Sequence, residues 1–336
     1  MPGDNPMAAA RTIAGELPDL PHLAELPGRG PGADITGRAA ALLVDIPVEV
    51  TPRGWRIAER PGRDVRRARS LLSADLDAME EVLDGYEGPL KVQVAGPWTL
   101  AATLEQPRSL TPALADPGLV ADLAASLAEG VAAHVAEVGK RVPKATPLVQ
   151  LDEPALPAVA LGAVPTPSGL SRVRAVDEEI LRDRLRTVLV ATRAYTVVHC
   201  CAPGYPFGIV TGAGADALSF DMSQLKPADY EELAAAAEAG QGLFAGAVPV
   251  RPEQSAPRDN RNQQERPRVP STATDTARSI AELWRRMEQP PAGCAPQVVV
   301  TPACGLAGAS PARALAVLRR VRETAAILPE MMGEMG

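Results

Sequence analysis

Short apolar runs, each bounded by Gly, Pro or an acidic residue, recur at 42–50, 91–95, 147–151, 195–200, 217–221, 243–250 and 297–301. Each has the length of a β-strand, and several are rich in β-branched residues. Helical patterns fill most of the intervals. Residues 64–83 carry many charges, 116–138 place Leu119, Leu123, Leu127 and Val131 at four-residue spacing, and 178–192 form a third amphipathic stretch. Asp116 before Pro117 pairs a capping side chain with a first-turn proline, and Ser310 before Pro311 opens a last helix to about Ile327 in the same way. Alternation of this kind predicts parallel strands joined by helical crossovers, in either a doubly wound sheet or a (β/α)8 barrel.

The polar residues at the strand ends choose between these. His199 and Cys201 are two apart at the end of a β-branched run, so both point to one face, while Asp221 and Cys304 end two further runs. Imidazole, thiolate and carboxylate are the donors of a tetrahedral zinc site. A capping role for Asp221 is the competing reading, and Cys200 and Cys294 read as small buried apolar residues. One metal drawing on strands far apart in sequence favours a TIM-type (β/α)8 barrel, in which every strand's C-terminal end opens on one face. The apolar runs supply seven strands, so the first barrel strand is expected to precede residue 1. The chain is expected to be a single barrel domain over 1–336. Within it, proline-rich 17–32 reads as an extended loop over the barrel mouth, and polar 251–270 as a loop disordered without ligand. His22 and His134 have no partner pattern and read as structural.

A content of 46% hydrophobic residues supports a substantial core, and a net charge of −7 argues against a nucleic-acid partner. No charge-free apolar stretch of about 18 residues and no signal peptide stand out, so no membrane partner is expected and the chain reads as cytoplasmic. In a reducing compartment four cysteines after position 199 suit metal binding or catalysis better than disulfides.

His199-Cys200-Cys201, Asp221 and Thr301-Pro302-Ala303-Cys304-Gly305-Leu306 resemble the zinc-binding segments of the catalytic barrel of cobalamin-independent methionine synthase. Gln150-Leu151-Asp152-Glu153-Pro154-Ala155 and Gly96-Pro97-Trp98-Thr99-Leu100 are similar to two further segments of that family, and the matches span about residues 40 to 310. The resemblance implies a barrel of the type shared with uroporphyrinogen decarboxylase, and Zn2+ held by His199, Cys201, Asp221 and Cys304. It also implies an enzyme that methylates the sulfur of homocysteine, or of another small thiol, from methyltetrahydrofolate or a methylcorrinoid. Asp152 is then a catalytic residue holding the substrate ammonium, with Glu153 beside it and Trp98 and Thr99 lining the donor pocket; capping and packing are the alternative roles of these residues. The chain departs from the family in four places: Asp221 stands for a Glu, the first strand's Gly-Ser segment has no counterpart, the loop after Val250 has no His, and no aromatic lies between Thr99 and Gln106. A metal-free decarboxylase and a non-catalytic zinc- or thiol-binding barrel are the competing functions. A homodimer through an open sheet edge is a further expectation.

Overall fold

The computed structural model describes residues 1–250 and 272–334. The strands are β1 (Val48–Thr51), β2 (Gly54–Ile57), β3 (Gly88–Ala95), β4 (Leu104–Glu105), β5 (Ala145–Asp152), β6 (Tyr195–Cys200), β7 (Ala217–Asp221), β8 (Gly242–Val248) and β9 (Val298–Pro302). Six of them form one all-parallel sheet in the order β3-β5-β6-β7-β8-β9. A doubly wound sheet reverses its strand order at a switch point. Here the order never reverses, so the crossovers all wind one way and the sheet curls into a TIM-type half-barrel.

The expected barrel strand at 42–50 is not one. Asp34 accepts the backbone N–H of Gly37 at 2.9 Å and caps a helix, Ile35–Leu42, from the Ala-rich run that follows. The chain then turns back through the antiparallel hairpin of β1 and β2, which with β4 makes a separate three-stranded sheet. The edge of β3 is taken instead by a segment of the proline-rich stretch. Leu23 N–H donates to Lys91 O and Lys91 N–H to Pro21 O, both at 2.9 Å, in a parallel bridge. Leu23 and Leu26 are fully buried. The expected loop over the barrel mouth is therefore, in part, a short strand-like element inside the fold. The polar stretch 251–270 lies outside the described residues.

The helices follow their caps. Asp116 accepts from Gly118 and Leu119 N–H at 2.9 and 3.1 Å and starts Pro117–Arg141; Ser310 accepts from Arg313 N–H at 3.2 Å and starts Pro311–Gly333. Pro117–Arg141 is apolar and long enough to cross a membrane, yet Leu123, Leu127 and Val131 are wholly buried in the core, as in a helix packed on a barrel. Replacing Asp116 by alanine is expected to lower stability by about 1 kcal/mol, read as a shifted urea midpoint with an unchanged slope.

Inside the curl, Leu148, Val197, Ala217 and Phe244 pack together as an apolar plug toward the strand starts. Above it the inward positions turn polar: Gln150 and Asp152 on β5, His199 on β6 and Ser219 on β7, two and four residues further along the same faces.

Candidate active site

β6 ends in His199 and Cys200, and the period of two sends these side chains to opposite faces. Cys200 enters the core at 1% exposure, and burial raises its thiol to about 12. Cys294, also buried, is raised to about 12 for the same reason. Both are packing residues, as their apolar surroundings dictate. His199 instead meets Ser219 across the β6–β7 ladder, Nδ1 to Oγ at 2.9 Å, which fixes the ring and leaves Nε2 for another partner.

Beyond β6 the chain bends through Cys201 to Tyr205, whose hydroxyl donates to Val198 O at 2.8 Å and pins the loop back on its own strand. Cys304 approaches from the other side of the sheet. A register shift between Gly246 and Val248 lets Ala303 N–H donate to Val248 O at 2.9 Å, and the segment after β9 folds across the end of β8. Gly246 makes this approach possible, since a Cβ there would sit 2.5 Å from Phe220 O and 3.0 Å from Ala303 Cα. The result brings two sulfurs, 103 residues apart in sequence, to 3.1 Å.

That pair shares a proton. The contacts of Cys201 and His199 draw the Cys304 thiol down to about 4, against the opposing effect of burial. Cys201, holding the proton against its partner's charge, is pushed up. Two sulfurs in contact, with an imidazole close by, are the donor types that a thiophilic cation takes. Asp221, at the end of β7, accepts from Ser223 N–H at 2.8 Å and caps the turn Met222–Gln224. The capping role weighed for it is thus present, and a carboxylate retains further acceptor sites. Among the described residues no group of three or more His, Cys, Asp or Glu side chains is spaced to hold a metal ion as it stands.

Glu153 is wholly buried one residue past β5 and faces away from solvent. Its carboxylate accepts Trp98 N–H at 2.9 Å, Thr99 N–H at 2.7 Å and the Thr99 hydroxyl at 2.6 Å, capping the helix Pro97–Thr103. Burial raises it to about 7 against the pull of these three donors. Trp98, fully buried, donates from Nε1 to Leu181 O at 3.0 Å. Glu153, Trp98 and Thr99, expected to contact substrate, direct these polar groups to one another and to Leu181, which are the capping and packing roles that compete with that expectation.

Asp152, at 7% exposure, stands opposite His199 in the β5–β6 register. Burial raises it to about 6, while His199 and Lys91 draw it down. His134 is lowered to about 4 by burial, and His22 well below its ordinary value by burial and by Lys91; neither joins the thiol pair. A cleft of about 500 Å3 beside the hairpin, lined by Glu49, Arg56, Glu59, Arg60 and Arg108, contains none of the candidate residues.

The catalytic-domain model of the cobalamin-independent synthases matches residues 21–327. The chain belongs to this family. No curated protein sequence matches it. Among solved structures, the B12-independent methionine synthase from Shewanella sp. W3-18-1, determined in complex with selenomethionine, is similar at 14% identity and a TM-score of 0.49, with 77% of this chain and 67% of that one covered. As a member of the cobalamin-independent synthase family the chain is an enzyme of the methionine synthase class. Lys91, Gln150, Ser219 and Gly246 escaped the sequence reading; the period-two alternation of Lys91 with Leu90 and Val92, and of Gln150 with Val149 and Leu151, was the available signal for the first two.

Proposed function

We propose that the chain transfers a methyl group to the sulfur of homocysteine, with Zn2+ held by His199, Cys201 and Cys304 and by Asp221 as the fourth donor. The observation that carries this reading is the Cys201–Cys304 contact at 3.1 Å beside His199. Zinc, when bound, lowers the pKa of a ligated thiol and so supplies a thiolate nucleophile at neutral pH. The protein's own residues do the rest. Ser219 holds the His199 ring in one orientation, Tyr205 holds the Cys201 loop, and Gly246 admits the Cys304 loop. Two thiolates and a carboxylate give an anionic donor set, which keeps electron density on a bound sulfur and suits alkylation better than activation of water. Asp152, buried on the next strand, takes the substrate ammonium by a charge-assisted hydrogen bond.

The methyl donor is methyltetrahydrofolate or a methylcorrinoid. Methionine formation from homocysteine by zinc-loaded protein, assayed with each donor in turn, tests the reading; no methionine from either would sink it. In the same assay Asp152→Asn is expected to lower kcat/KM about 10- to 100-fold, since the charge that meets the ammonium is gone.

A further inference from the structure

The interior of the barrel holds a linear chain of polar groups that ends on Asp152. Lys91 on β3 donates from Nζ to Gln150 Oε1 at 3.0 Å, and Gln150 Nε2 donates to Asp152 Oδ1 at 2.7 Å. Lysine can only donate, so the amide must turn its oxygen to Lys91 and thereby its nitrogen to Asp152. No other orientation satisfies both ends. The amide dipole then lies between a cation and an anion, each bond strengthening the other. Asp152 Oδ1 is engaged, while Oδ2 carries no hydrogen bond among the described residues. A lysine facing into a barrel is costly, and here its direct partner is a neutral amide rather than a carboxylate. Such an arrangement does little for stability that an apolar residue would not do, and it fixes one carboxylate oxygen while leaving the other free.

We propose that Lys91 is a positioning residue: acting through Gln150, it orients the Asp152 carboxylate so that its free oxygen receives the ammonium group of an amino acid thiol. This rests on the homocysteine reading for the identity of the thiol, and two measurements on the full chain keep the two claims apart.

The first needs no substrate. Lys91→Met and Asp152→Asn are combined in a double-mutant cycle followed by urea unfolding, in the native background and in Gln150→Leu. Lys91 and Asp152 also feel each other's charge directly, so the relay predicts a non-additivity that is large with Gln150 present and falls to a small remainder without it. Coupling that is undiminished in Gln150→Leu means that the charges interact without the amide and overturns the relay; additivity in both backgrounds overturns it too.

The second measures dissociation constants of zinc-loaded protein for L-homocysteine and for 4-mercaptobutyrate, the same thiol without its amino group. The native chain is expected to prefer homocysteine, and Lys91→Met and Gln150→Leu each to weaken homocysteine about 10-fold with 4-mercaptobutyrate unmoved. Equal weakening of both thiols, or of neither, overturns the positioning role. Failure of the native chain to bind either thiol counts against the homocysteine reading alone, and the unfolding cycle still decides the relay.

Discussion

Cys304→Ser purified without chelator is expected to carry no stoichiometric zinc, where the native chain carries about one per molecule, and Cys201→Ser is expected to behave the same way. The expectation comes from the donor set. Cys304 is the sulfur whose pKa Cys201 and His199 lower, and a serine hydroxyl in its place has neither the softness nor the acidity to replace it. Cys200→Ser is the control, since that thiol faces the core and bonds only weakly to Ala202 O at 4.0 Å. Its substitution is expected to cost packing and to leave the zinc content unchanged. Metal analysis of the three variants separates the outcomes: zinc retained in Cys304→Ser removes that residue from the ligand set, and no zinc in the native chain removes the site.

Glu153→Ala is expected to destabilise the fold by about 3 kcal/mol at pH 6, measured by urea unfolding. Truncation leaves Trp98 and Thr99 N–H groups buried without acceptors and opens a void against Gly96, whose missing Cβ is what lets the carboxylate come so near. The pH dependence has a defined sign. The folded group titrates at about 7 against 4.5 for an ordinary glutamate, so the native state binds its proton more tightly than the unfolded chain. The stability this contributes is fully present below pH 4.5 and is lost as pH rises through about 7. The gap between native and Glu153→Ala should therefore narrow between these limits and stay constant above them. A gap that widens with pH would mean that the three donors outweigh burial.

Several elements were legible because their signals are local. β6 and β7 end where the β-branched run and the carboxylate said they would, and Asp116 and Ser310 start their helices as capping residues do. The errors arose where a local signal was absent or overruled. Prolines 18, 21 and 27 hid the buried residues Leu23, Ala24 and Leu26, and only pairing with Lys91 reveals a strand-like bridge there. The run 42–50, expected as a barrel strand, instead follows a helix capped by Asp34 and leads into the hairpin strand β1. At the candidate site the sequence put His199, Cys201 and Cys304 at strand ends, and the fold adds what composition cannot: which pairs meet. Glu153 illustrates the limit, since its partners lie 54 and 55 residues away and nothing near it in sequence announces a helix to cap.

The separation of 103 positions from Cys201 to Cys304 also sets a schedule. A ribosome adds about 5–20 residues per second, so Cys201 emerges roughly 5–20 s before the sulfur it will meet has been made. During that interval His199 and Cys201 stand on an unfinished chain without the sulfur that completes their cluster. Whatever keeps newly made chains reduced in the cell thus bears on how many of them finish with the site intact.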